Sequence, residues 1–258
     1  MNRIGFTIAL CVAVVGGVLF GVFAQLDLDL AGLFFNPATH TFKVNAEPWV
    51  QHSRDASRWF IALLSAPAAV AIFGKLIVPH RRILIGGETA VFLLLTLALG
   101  PGILANVVLK EHWGRSRPID VTDFAGTDHF TPWWDPRGEC PSNCSFVAGE
   151  PSGAFWTLAP AALAPPQWRV LAYAGALGFG VAVGLLRMAA GAHFFTDVMF
   201  AGIFMYLVVW VMHGFIFRWR TSRMRNDALE HVLARVGVAM RKGLAAFRRR
   251  IGWRIGKL

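Results

Sequence analysis

Long runs of almost unbroken apolar residues decide what this chain can fold into. They cover 4–24, 59–78, 90–109, 170–187 and 194–217, with a shorter run at 150–165. An α-helix crosses the hydrocarbon core of a bilayer with about 20 apolar residues. Backbone groups find no water there, so a helix satisfies them within its own segment. Hydrophobic residues make up 55% of the 258 and charged residues only 16%, a balance outside that of ordinary soluble domains. The expected fold class is therefore all-α, a polytopic membrane bundle of about six transmembrane helices. The first run is longer than a usual signal-peptide core. It reads as a retained anchor despite the cleavage-like Val22-Phe23-Ala24.

Charge orients such a bundle. The net charge is +10, from 25 Lys+Arg against 15 Asp+Glu. The excess gathers after residue 217, in Arg218, Arg220, Arg223, Arg225, Arg235, Arg241, Lys242, Arg248, Arg249, Arg250, Arg254 and Lys257. This divides the chain into a membrane domain, 1–217, and a basic tail, 218–258. With six passes, Arg3, Arg81-Arg82, Arg169 and the tail share one face, which the positive-inside rule makes cytoplasmic. In the tail, Leu229, Leu233, Val236, Met240, Leu244, Phe247, Ile251 and Ile255 recur at helical spacing between cations. That pattern predicts an amphipathic helix lying on anionic inner-leaflet lipid, and nucleic acid is not an expected partner. Asp27 and Asp29 alternate with leucines over 26–34, a segment expected to lie along the membrane interface.

The opposite, extracytoplasmic face then collects the polar segment 110–149 and the residues with chemistry to offer. Cys140 and Cys144 stand in Cys-Pro-Ser-Asn-Cys with no second cysteine pair to complete a zinc site, so a local disulfide is expected. Cys11 reads as a packed small hydrophobe. Lys110, Arg117 and Arg187 come from distant parts of the sequence to the same face. Arginine presents a planar fork that matches phosphate oxygens, and lysine adds a point charge. His193 and Asp197 are four apart at the start of the last run and so share a helical face. A carboxylate accepting from one ring nitrogen leaves the other free to attack.

Lys110-x6-Arg117-Pro118 and Arg187-x5-His193-x3-Asp197 resemble the first and third signatures of the type 2 phosphatidic acid phosphatase family, over residues 58–217. These are integral membrane lipid phosphatases, related to soluble bacterial acid phosphatases and vanadium haloperoxidases. The resemblance implies a helical bundle that hydrolyses phosphate esters without metal or other cofactor. It makes His193 the nucleophile of a phosphohistidine and Asp197 its orienting group. Lys110, Arg117 and Arg187 become the phosphate clamp. Leu186 stands where the family often has Ser, a small departure.

The second signature departs further. Pro151-Ser152-Gly153-Ala154 resembles the family's Pro-Ser-Gly-His with its His lost. Ser145-Phe146-Val147-Ala148-Gly149-Glu150 resembles the longer Ser-Phe-Pro-Ser-Gly-His run better, and it starts an apolar run. In that register Gly149 joins the phosphate-binding set and Glu150 takes the place of the acid. Burial would raise its pKa and nearby cations would lower it. Protonated, it donates to the leaving oxygen; ionised, it activates water or is a spectator. The variant run and His112-Trp113-Gly114-Arg115 resemble the family's lipid A phosphatase branch most. The expectation is a bacterial inner-membrane enzyme with a periplasmic site, acting on lipid A or another phospholipid. Phosphatidylglycerophosphate and undecaprenyl diphosphate remain alternatives, as do lipid-to-lipid phosphate transfer and a lipid-binding or transport protein without turnover.

Overall fold

Every apolar run but one becomes a helix of membrane length. The computed structural model describes residues 3–44, 47–78, 85–219 and 226–255, the last stretch with side chains up to 247 except at 226, 227 and 244. Among these, five helices are long and apolar enough to cross a membrane: α1 (Arg3–Val22), α3 (Pro48–Ile77), α4 (Gly87–His112), α7 (Pro166–Ala189) and α8 (Phe195–Arg218). Between α1 and α3 lie the short α2 (Gln25–Gly32) and a hairpin of β1 (Phe35–Asn36) and β2 (Thr41–Phe42). From Ala98 to Leu109, α4 is wound as a π-helix around Pro101, whose missing N–H already breaks the regular ladder. The Asn106 side chain folds back on its own helix, its Nδ2 donating to the Pro101 carbonyl at 2.6 Å.

The shorter run at 150–165 is two helices, α5 (Gly149–Phe155) and α6 (Leu158–Ala162). Each is too short to span a bilayer alone, and Pro160, Pro165 and Pro166 forbid a longer one. The pair still runs antiparallel along α7. Glu150 meets Arg187 at one end, and the Phe155 ring packs against Gly180. Further along, Leu158 and Ala161 pack with Tyr173 and Ala176, and the Ala164 carbonyl accepts from Arg169 Nε at 3.2 Å. Gly180 permits the close approach: a Cβ there would lie 2.2 Å from the Phe155 ring.

The chain packs as two compact units, Met1–Ala62 with Leu95–Met212, and Leu63–Leu94 with His213–Leu258. The first has its largest core around Leu109, Phe146, Val147, Met188, Val198 and Phe200. In the second, Phe92 meets His213 and Phe217 edge-on, and Lys75 pairs with Glu230 at 3.2 Å. The tail forms α9 (Asn226–Ile255), with Val232, Val236, Met240 and Phe247 exposed. The basic loop expected at Pro79-His80-Arg81-Arg82, and Arg220, Arg223, Arg225 and Lys257, lie outside the described residues. So do the side chains of Arg248, Arg249, Arg250, Arg254, Leu244, Ile251 and Ile255.

Candidate active site

The three signature stretches meet in the first unit because the backbone of the second is hydrogen-bonded to the other two. Cys140 N, Cys144 N and Ser145 N donate to the carbonyls of Gly114, Lys110 and Arg115 at 3.0, 2.8 and 2.8 Å. Ala148 N reaches the Asp197 carbonyl at 3.3 Å. The expected Cys140–Cys144 disulfide is present, with Cα atoms 5.7 Å apart, and closes the loop just before Ser145. Gly191 turns the chain between α7 and His193 at φ +69°, where the Phe42 ring leaves no room for a Cβ.

His193 is buried, 2% exposed. Its Nδ1 lies 2.8 Å from the Ser145 backbone carbonyl, an acceptor only, so Nδ1 carries the proton and Nε2 the lone pair. Asp197 stands 3.8 Å from Nδ1, too far for a direct bond. The link runs through Ser145 instead, whose hydroxyl donates to Asp197 Oδ2 at 2.6 Å. Burial drives the His193 pKa down to about 4; Asp197 opposes this while the charges of Arg187 and Lys110 add to it. The imidazole is therefore neutral at physiological pH.

Behind His193 lies a buried polar layer that sequence reasoning missed. Arg115 is fully buried and donates to Asp197 Oδ1 at 2.5 Å, Thr196 Oγ1 at 2.8 Å, Asp27 Oδ2 at 2.8 Å and the Thr131 carbonyl at 2.9 Å. Its guanidinium stacks over Phe194, 4.4 Å from the ring centre. Asp27, read from sequence as an interfacial residue, is 1% exposed and accepts from the Thr196 backbone N–H at 3.1 Å. Asp29 is exposed. Burial raises the Asp27 pKa, and Arg115 and Thr196 oppose the rise. The only sequence signal for the layer is position: Arg115 sits inside the first stretch, and Asp27 is an acid in an apolar-alternating segment.

In front of His193 the cations gather around Glu150, which is held ionised. Its Oε1 accepts from Arg54 Nη2 at 2.7 Å, Arg54 Nε at 3.0 Å and Arg58 Nη2 at 2.8 Å. Arg187 Nε stands 3.2 Å from Oε2, within ion-pair distance but outside hydrogen-bond alignment. Burial pushes the Glu150 pKa up, but Arg54, Arg187 and Arg58 outweigh it and hold it at about 2. Arg54 and Arg58 were not singled out in the sequence, where they precede the apolar run. They are four apart on α3, which starts at Pro48, and so share a face. A Cβ at Gly149 would lie 2.6 Å from Asn106 Oδ1, so the bare glycine makes room for that amide, and Lys110 Nζ stands 3.4 Å from the same point, beside the start of α5. Arg117 is tethered through Nη2 to the Asn143 carbonyl at 2.7 Å.

Ala154, the residue of the other register, is fully buried one turn inside α5, and Ser152 spends its hydroxyl on the Ala148 carbonyl at 2.8 Å. Among the described residues, no three His, Cys, Asp or Glu side chains converge where a metal ion could sit. The arrangement presents a neutral imidazole, a buried carboxylate behind it and cations in front, a layout suited to displacement at phosphorus.

Comparison with known proteins agrees. Residues 89–221 match the PAP2 superfamily. The chain is 33% identical over 219 residues to the lipid A 4'-phosphatase of Francisella tularensis subsp. novicida (strain U112), covering 84% of this chain and 98% of that one. It is 42% identical over 103 residues to the lipid A 4'-phosphatase of Rhizobium leguminosarum, covering 40% of this chain and 44% of the relative. The Rhizobium etli protein of the same name is 38% identical over 102 residues, 40% of each chain. No solved structure gives a significant match. With five helices of bilayer length among the described residues, the chain is a multi-pass membrane protein, and it belongs to the PAP2 superfamily of phosphatases, hydrolases of phosphoric esters.

Proposed function

We propose that the protein removes a phosphate monoester from the headgroup of lipid A, at the periplasmic face of a bacterial inner membrane, through a phosphohistidine on His193. The observation that carries the mechanism is the commitment of His193 Nδ1 to the Ser145 carbonyl, which leaves Nε2 as the nucleophile. The substrate rests on the relative matched over nearly its whole length. The sidedness rests on the charge pattern of the sequence: an even number of passes puts Arg3, Arg169 and the basic tail on one face, which the positive-inside rule makes cytoplasmic.

In the first step Nε2 attacks phosphorus, the P–N bond forms and the P–O bond to the lipid breaks. Lys110, Arg117 and Arg187 carry the charge of the equatorial oxygens. The lipid oxygen leaves with a proton taken from solvent, because Glu150 is ionised in this arrangement. In the second step water attacks phosphorus and the P–N bond breaks, giving inorganic phosphate and the free imidazole. Glu150, held as a carboxylate by Arg54 and Arg58, orients that water. Asp197, fixed by Arg115 and Ser145, stabilises the imidazole as it gains positive character.

The test is phosphate release by purified protein from lipid A, phosphatidylglycerophosphate, phosphatidate and undecaprenyl diphosphate. Lipid A is the expected best substrate, and His193→Ala lowers release by about a thousandfold or more. Equal release from all four lipids would remove the substrate assignment, and an active His193→Ala would remove the nucleophile.

A further inference from the structure

Glu150 is shared unequally among three arginines. Arg54 grips it through Nε and Nη2, and Arg58 through Nη2. Arg187, at 3.2 Å, makes no hydrogen bond to it and its buried Nε has no hydrogen-bond partner. The two α3 arginines are themselves held in place: Arg54 Nη1 donates to Gln51 Oε1 and Arg58 Nη1 to Asp55 Oδ1, both at 2.9 Å. All four groups thus lie along one stretch of α3, aimed at the first turn of α5.

A carboxylate and a phosphate compete for the same guanidinium fork. If Glu150 closed on Arg187 in a bidentate pair, it would occupy the edge that a phosphate dianion needs. We propose that Arg54 and Arg58 are positioning residues: they hold the Glu150 carboxylate away from hydrogen-bond alignment with Arg187, so that Arg187 stays open to phosphate. The inference rests on the reading above that Arg187 binds the phosphoryl group. Each of the two has donors committed to Glu150 and to its own helix.

The test is direct binding of radiolabelled inorganic phosphate to the purified full chain by equilibrium dialysis, which requires no turnover. Arg54→Ala/Arg58→Ala weakens binding about tenfold, because Glu150 is released onto Arg187. Adding Glu150→Gln to that double variant restores binding to within about twofold of Glu150→Gln alone. Arg54→Lys/Arg58→Lys, which keeps the charge but not the fork, is expected to be intermediate and guards against a folding failure. Unchanged binding in Arg54→Ala/Arg58→Ala would overturn the proposal. So would a triple variant that binds more weakly than Glu150→Gln alone, since the arginines would then serve phosphate or the fold directly. A wild-type protein that binds no phosphate would remove the Arg187 reading and this inference together, and is distinguishable from both.

Discussion

At the scale of single residues, the chemistry turns on which groups hold protons. His193 is lowered from its ordinary value to about 4 and Glu150 to about 2. The imidazole therefore stays neutral as pH falls from 7 through 6.5, and gains its proton only near 4. Glu150 is still ionised there. An acid limb of phosphate release caused by the enzyme is then that of His193, and it lies well below the pH at which a free imidazole would titrate. The 15N shifts of His193 in labelled protein check this: they are expected to stay those of a neutral, Nδ1-protonated ring at pH 6. An imidazolium at that pH would contradict the buried environment. The residues found by sequence spacing, His193 and Asp197 or Lys110 and Arg117, carry short fixed intervals. Arg115, Asp27, Arg54 and Arg58 do not. Their partners lie 82, 88, 96 and 92 residues away in the chain, and no local pattern encodes such pairings.

At the scale of elements, hydropathy located the spans, and its largest miss is the start of α3. The apolar run of α3 begins near residue 59, yet the helix begins at Pro48. Its first turns carry Arg54 and Arg58, which reach Glu150, so an apolar pattern could not mark them. The split of 149–162 into α5 and α6 was hidden for a related reason. Its residues are apolar enough for a span, but prolines limit each helix and packing on α7 supplies what length does not. That packing makes a prediction. Gly180→Ala places a methyl group 2.2 Å from the Phe155 ring, which is 4% exposed and has little room to yield. Thermal unfolding in detergent is expected to register a loss of about 1–3 kcal/mol. Gly175→Ala, where no atom lies within 4 Å, is expected to leave stability unchanged or slightly raised. Equal unfolding temperatures for the two variants would contradict the described contact between α5 and α7.

At the scale of the whole molecule, the membrane reading and the chemistry support each other. The signature cations, Glu150 and His193 converge at the α7 end that carries Arg187, while Arg169 lies at the other end of the same helix. The polar loop is tied to α1: Trp133 Nε1 donates to the Gly17 carbonyl at 3.2 Å, and Trp134 is half-exposed. The fold class was legible because apolar length is a whole-chain property. The buried Asp27–Arg115–Asp197 layer was not, because it exists only once α2, the polar loop and α8 are assembled.

The most direct test of the central claim is to trap the intermediate. Purified protein mixed with 32P-labelled lipid A and quenched within a turnover is expected to carry label that survives alkali and is lost in acid, as phosphohistidine does. That label should map to the peptide containing His193 and be absent from His193→Ala. Rapid phosphate release by the wild type with no such label, or release by His193→Ala at an undiminished rate, would contradict the account.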